Sequence, residues 1–472
     1  MIALRFGILL CCAAAAFAQG VASRIAAHVR AEDLTADVAF LASDTLQGRA
    51  TPSPGLDVAA EYIASQFRKA GLEPVGDDGY FQTATYQVLT PDMDGFEISS
   101  GSVKVTTALI QDAVATDLKD AGVVRATPAG LESLTGEQVR GKVLLLDLSA
   151  AGSPRAVPSA ARLEPALLIL FRANLPARMG TRPVMRDASL PASRFAVVTV
   201  ADAALRDALS EPDAKVSAHI AAPKVESARA RNVAGLLRGA DPALKDTYVI
   251  VTGHYDHLGV RGTGEGDHIF NGANDDASGT SSVIEIGAAL AALGEKPKRS
   301  ILFLTVFGEE MGGYGARYYT SHPIFPLART VADVNLEQLG RTDDTEGPRP
   351  LQFNLTGFDY TDIAAIMARA GAETGIKVVK HEKNSDSFFG RSDNATFADA
   401  GVPSTTLSVA YIYPDYHQAG DEWPKLDYQN MAKVDVCVGL GIWDMANSEK
   451  APEWNRENSK TARYVAAHDK LK

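Results

Sequence analysis

Cysteine is scarce: there are three in 472 residues, with Cys11 and Cys12 adjacent near the start and Cys437 alone. An internal disulfide framework is thereby excluded, and Cys437, set in an apolar helical pattern, reads as a buried structural thiol rather than a nucleophile. No cluster of lysine or arginine stands out and the formal net charge is -12, which argues against a polyanion-binding surface and so against a nucleic-acid partner. The apolar run at the start is short for a bilayer. With 46% hydrophobic and 22% charged residues, the composition argues against disorder and against a fibrous protein. A length of 472 residues is too great for one ordinary core, so a large domain and a smaller one are expected.

The first apolar run has the order of a secretory signal: one cation, Arg5, then an apolar stretch, then the small-x-small site Ala16-Phe17-Ala18. Residues 1–18 are read as a cleaved signal peptide, with the mature chain starting at Gln19. The expected location is a bacterial periplasm or secreted fraction, with no membrane attachment after cleavage. A core of this size holds without disulfides.

Residues 19–104 are expected to begin the larger domain. Within them Leu34, Val38, Phe40 and Leu41, and then Ala59, Tyr62, Ile63 and Phe67, recur at helical spacing, and Gly71 stops the second helix. From 105 to 229 the texture changes to short apolar runs, such as Val143-Leu144-Leu145-Leu146 and Ala196-Val197-Val198-Thr199-Val200, separated by Gly, Pro and Ser. This stretch reads as a smaller mixed-β domain inserted into the larger one. Residues 230–447 return to the larger domain. Strands at 233–237, 248–252, 300–307, 331–336, 351–355, 378–380 and 405–409 alternate there with helices at 278–293, 314–321, 363–374 and 428–446. The alternation predicts an α/β fold with a mostly parallel central sheet covered by helices on both faces. A ligand site is then expected beyond the carboxyl ends of the strands. The charged residues 448–472 read as a solvated tail.

Polar motifs fall at those strand exits. Gly253-His254-Tyr255-Asp256-His257 ends one strand, and alternation puts His254 and Asp256 on one side, where the carboxylate can hold the second ring nitrogen of a metal-binding imidazole. Asn271-Gly272-Ala273-Asn274-Asp275-Asp276-Ala277-Ser278-Gly279 runs straight into a helix; in isolation its acids would be caps, but a di-cation needs a bridging carboxylate. Glu309-Glu310 follows an apolar strand, and two adjacent carboxylates in a partly dry cleft repel unless a cation relieves them. One of the pair would then bind metal and the other stand beside its water as a general base. Glu337 leaves another apolar strand, and Asp415-Tyr416-His417 follows the last one. Nitrogen and oxygen donors without thiolate suit a catalytic pair of zinc ions.

With these motifs assembled, residues 230–431 resemble the aminopeptidase Y type of di-zinc metallopeptidases, the family that also contains glutamate carboxypeptidase. Leu46-Gln47-Gly48-Arg49 and Ala59-Ala60-Glu61-Tyr62-Ile63 are similar to that family's leading helices, and the inserted stretch, through Gly141-Lys142-Val143-Leu144-Leu145, looks like a protease-associated domain. The resemblance implies a peptide substrate and two Zn2+ per chain. It makes His254, Asp275 and Glu337 ligands of one zinc, and Asp275, Glu310 and His417 ligands of the other. It also makes Glu309 the general base, Asp256 the acid that orients His254, and Tyr416 the phenol that steadies the oxyanion. Two departures are visible: Glu337-Gln338 stands where the family has aspartate then methionine, and Ser392-Asp393-Asn394 where it has Ser-Asp-His.

His257 and His268 could be spare ligands, but two histidines and three carboxylates already fill a di-zinc site. His322 and His381 read as surface or capping residues, Asp276 as a helix start, and Arg391 and Asp393 as pocket-rim or capping residues. The expected function is an exported zinc aminopeptidase. A carboxypeptidase on the same scaffold, a single-zinc cyclase of N-terminal glutamine and an inactive peptide-binding module are the rivals.

Overall fold

The computed structural model describes residues 20–148, 156–173, 183–188 and 193–472, and the expected signal peptide, residues 1–18, lies outside them. The chain divides into two compact units, one made of the residues up to Ala84 with Ala230–Lys472, the other of Thr85–Arg229. Among the described residues no helix is long and apolar enough to cross a membrane.

In the larger unit a short helix, Val21–Ala26, is followed by α1 (Ala31–Leu41) and α2 (Pro54–Lys69). Ser53 caps α2, its hydroxyl accepting the Leu56 N–H at 3.1 Å, and Pro54 takes the first turn, where no amide donor is needed. After β1 (Phe81–Thr90) and β2 (Lys224–Leu237) the chain alternates: β3 (Tyr248–His254), α3 (Gly279–Ala292), β4 (Ser300–Val306), α4 (Tyr314–Ser321), β5 (Thr330–Leu336), β6 (Gln352–Leu355), α5 (Ile363–Thr374), β7 (Lys377–Val379), α6 (Asn394–Asp399), β8 (Ser404–Ser408), α7 (Tyr428–Asn447) and α8 (Ala462–Leu471).

The sheet order is β7-β6-β8-β5-β3-β4-β2-β1. Its centre, β8-β5-β3-β4, is parallel throughout, whereas β2 runs antiparallel to β4 and β6 antiparallel to β8. Every residue of β3, β4 and β8 is buried, as parallel strands sandwiched between helices require. Ile250, Leu302 and Leu304 pack on one face with Ala316 and Tyr319 of α4 and Phe397 of α6. On the other face α3 approaches so closely that a Cβ at Gly287 would stand 3.3 Å from the Phe303 ring.

The smaller unit holds an eight-stranded mixed sheet with apolar clusters around Val143, Leu167 and Val198, and around Leu144, Leu168 and Leu170. It starts at Thr85 rather than at 105. The hairpin Glu97–Ser100 and Val103–Val105 pairs with Lys215–Ile220 and so joins the insert.

The expected solvated tail is not one. Trp454 and Tyr464 are buried, their rings stacked 5.0 Å apart beside Phe389, and the Trp454 indole N–H donates to the Gly401 carbonyl at 3.1 Å. Two aromatics spaced among charges leave no periodic signal, yet they bury enough apolar area to dock the segment.

Asp435 of α7 is fully buried and accepts the Ser282 hydroxyl of α3 at 2.9 Å; burial pushes its carboxyl up to about 8. An acid raised this way costs nothing below about pH 4, costs more as the unfolded chain ionises, and reaches a constant penalty above about pH 8. Asp435→Asn keeps an acceptor for Ser282. It should melt above the wild type by a margin that widens from about pH 5 to about pH 8 in thermal scans, whereas a constant margin would show that Asp435 is not held protonated.

Candidate active site

Four strand exits and one turn meet at the carboxyl rim of the parallel strands. β3 ends on His254, β4 leads to Glu309 and Glu310, β5 delivers Glu337, and the chain leaving β8 returns with Tyr416 and His417. Asp275 stands in an irregular turn, Ala273–Ser278, that opens α3. Gly308 adopts φ 72°, a left-handed bend suited to glycine, and it turns Glu309 and Glu310 off the strand.

His254 Nε2 lies 3.3 Å from Asp275 Oδ1, and His417 Nε2 lies 3.1 Å from Asp275 Oδ2 and 3.4 Å from Glu310 Oε1. Each oxygen of Asp275 thus faces a different imidazole. Donors about 2.0–2.2 Å from one tetrahedral zinc stand roughly 3.3 Å from each other, close to these separations. His254, Asp275 and Glu337 bring ligand atoms within 4.8 Å of one another, and so do His257, Asp275 and Glu310. Buried His254 Nε2 and Glu310 Oε1 face only other side chains of the cluster, so both are placed to ligate. The residues present fit a pair of zinc ions.

The surrounding polar groups hold this arrangement. Asp421 accepts the amides of Asn274 and Asp275 at 3.0 Å and the Tyr413 hydroxyl at 2.8 Å. Asn274 Oδ1 accepts the Gly340 amide at 2.8 Å, and Asp276 accepts the Gly279 and Gln338 amides at 3.0 Å, which ties the Asp275 turn to the Glu337 loop. Fully buried Arg49 donates to the carbonyls of Tyr255 at 2.8 Å, Asn271 at 2.7 Å and Gly272 at 3.0 Å, and also to that of Leu41. Sequence reasoning assigned no role to Arg49 or Asp421, because their partners are distant in the chain.

Asp256 lies on the His254 side, as expected, with its carboxylate at ion-pair rather than hydrogen-bond distance. His254 Nδ1 is 3.2 Å from the Asp256 backbone carbonyl and 3.6 Å from its carboxylate, and Asp256 Oδ1 accepts the Glu309 amide at 3.0 Å instead. The bend after β3 points that side chain at the β4 exit. Tyr416 lines the cleft and stacks on His417, centroids 4.1 Å apart. His257, set aside in the sequence, is drawn in: it is buried and its Nδ1 stands 2.7 Å from Glu310 Oε1. Its place three residues after His254 was the available signal. His268 faces the Gly264 carbonyl away from both clusters. His322 caps α4, as expected. His381 is buried rather than exposed, pairing with Glu346 at 3.0 Å. Asn394, where the family has histidine, is buried in structural hydrogen bonds to Phe389 and Thr406.

Burial alone would raise the Asp275 carboxyl, but contacts with His254 and His417 hold it below the ordinary range. Glu310 is raised by burial and by Asp275, yet His257 and His417 bring it down to about 2. Burial opposes charge on His417, but Asp275 and Glu310 lift it to about 10. Glu309 has no ion-pair partner among the described residues: burial pushes it well above the carboxylate range against the opposing charge of His254, and Asp393, Glu337 and Glu310 add to the rise. Burial also raises the Tyr416 phenol, which therefore stays a donor.

The fold and this cluster define a class, an α/β metallohydrolase centre at the carboxyl rim of a parallel sheet. Residues 232–439 match peptidase family M28, so the chain carries a domain of that family. Over 237 residues the chain is 28% identical to aminopeptidase NAALADL1 of Mus musculus, covering 44% of this chain and 29% of that protein. It is 23% identical over 218 residues to aminopeptidase YwaD of Bacillus subtilis, 45% and 44% of the two chains. To a probable zinc metalloprotease of Leptosphaeria maculans it is 39% identical over 207 residues, 42% and 44%. The matches thus span less than half the length of these relatives. An aminopeptidase structure from Aneurinibacillus sp. strain AM-1 superposes with TM-score 0.62 at 20% identity, covering 91% of this chain and 97% of that one. A Bacillus subtilis zinc aminopeptidase does so with TM-score 0.52 at 18% identity, over 89% and 96%.

His257→Ala should weaken the cation held at Asp275 and Glu310 by about 10–100-fold, the usual scale for a group that braces a ligand. Chelator-competition titration checks this, and unchanged affinity would remove His257 from the centre.

Proposed function

We propose that this chain is an exported di-zinc exopeptidase, an aminopeptidase that releases N-terminal residues from peptides. Asp275, with an imidazole at ligand–ligand spacing from each of its oxygens, is the observation that carries the reading. His254, Asp275 and Glu337 would hold one ion, and Asp275, Glu310 and His417 the other. Bound there, the ions lower the pKa of water and polarise the scissile carbonyl. Named aminopeptidases among the relatives support the same class.

The chain's own residues then divide the work. Glu309, high in proton affinity and paired with no cationic side chain among the described residues, takes the proton of the attacking water and returns it to the leaving amine. Its main chain is fixed for this by the Asp256 carboxylate. Tyr416 donates its hydroxyl proton toward the carbonyl oxygen as negative charge develops. A free N-terminus is a cation and meets a rim of carboxylates. The leader pattern before Gln19 supports an activity outside the cytoplasm.

Glu309→Gln should lower kcat by about 10²–10⁴-fold on amino-acid para-nitroanilides while zinc content stays the same. A variant that keeps most of its turnover would put the base elsewhere. In the same assay, peptides blocked at the N-terminus should resist cleavage, and equal hydrolysis of blocked and free peptides would contradict an aminopeptidase.

A further inference from the structure

We infer that Arg317 and Arg391 form a carboxylate-binding wall of the cleft, so that the preferred substrates are short peptides presenting an anionic carboxylate close to the hydrolysed bond. The inference rests on the proposed peptidase reading and names its substrate class.

Both arginines line the same cleft as Asp275, Glu309, Glu310 and Glu337, a space of about 340 Å³. That volume is at the lower end for a ligand pocket and suits a short segment of peptide. Arg317 lies on α4, directly after the Glu309-Glu310 turn. Arg391 lies in the loop before α6, and the two segments adjoin: a Cβ added at Gly313 would stand 3.6 Å from Asp393 and 3.7 Å from the Thr396 hydroxyl. Nearby Arg341 is spent on Asp343 at 2.6 Å and Asp415 at 2.9 Å. Arg317 and Arg391, by contrast, have no carboxylate within ion-pair distance among the described residues.

Arg391 is also oriented. Its guanidinium lies over the Phe388 ring, 4.2 Å from the centroid, and Phe388 is itself a wall of the cleft. The contact holds the guanidinium against that wall, and a guanidinium can take a carboxylate through two parallel hydrogen bonds. Arg391 shares the cleft with Tyr416, whose ring stacks on His417. A carboxylate held by Arg391 therefore sits near the reacting end of the cleft.

Two sources supply such a carboxylate: the side chain of an N-terminal Asp or Glu, and the C-terminus of a dipeptide. Paired substrates separate them. Glutamyl against leucyl para-nitroanilide reads the first, and leucyl-leucine against its C-terminal amide the second. In one of these pairs the wild type should favour the anionic member by about tenfold or more in kcat/KM, and Arg317→Ala/Arg391→Ala should bring the ratio toward one. Wild-type ratios near one in both pairs, or a preference that survives the double variant, would overturn the inference.

Binding of glutarate by calorimetry to the zinc-loaded proteins separates this from failure of the peptidase reading. About tenfold weaker binding by the double variant supports the arginine wall even if no peptide is cut. Equal binding by both proteins overturns it.

Discussion

Four carboxylates, Asp275, Glu309, Glu310 and Glu337, are held largely out of water around one cleft. Like charges this close in a low dielectric cannot all remain ionised without counter-charge. The protein supplies part of it through His254, His257 and His417, which explains why Asp275 and Glu310 are driven down while Glu309, facing none of them closely, is driven up. Divalent cations would supply the rest. The asymmetry sets Glu310 apart from its neighbour: adjacent glutamates on one turn acquire opposite proton affinities because Glu310 pairs with His257 and His417, while Glu337, like Glu309, is raised by burial.

Holding such groups together demands a stiff frame. The parallel strands β8, β5, β3 and β4 end on one rim, so residues far apart in the chain converge there. The turn that carries Asp275 is fastened from three directions, by Asp421, by the Glu337 loop through Asn274 and Asp276, and by Arg49 through Asn271 and Gly272. Arg49 is itself fully buried, and its guanidinium is satisfied by carbonyls, which is how a desolvated cation is tolerated near an acidic centre.

Much of this was legible in the sequence wherever a local period or a strand exit carried the information. The helices at 314–321 and 363–374 have the expected bounds, and β5 begins one residue before the expected strand, because uninterrupted apolar runs flanked by glycine and polar residues leave few alternatives. His254, Asp275, Glu310, Glu337 and His417 could be singled out because each is a metal-ligand type at the end of a strand or at the start of a helix. What escaped was non-local. The aim of the Asp256 side chain depends on the bend after β3, the burial of His381 depends on Glu346, and the docking of residues 448–472 depends on two isolated aromatics finding Phe389. The insert begins at Thr85 for a similar reason: its first strands carry ordinary polar residues, and they are claimed by a partner strand more than a hundred residues later.

The most direct test of the cation-compensated centre is crystallography of the zinc-loaded protein with anomalous scattering at the zinc edge. Two peaks sharing Asp275, one against His254 and Glu337 and the other against Glu310 and His417, are the predicted result. A single peak, or zinc bound away from Asp275, would contradict the account.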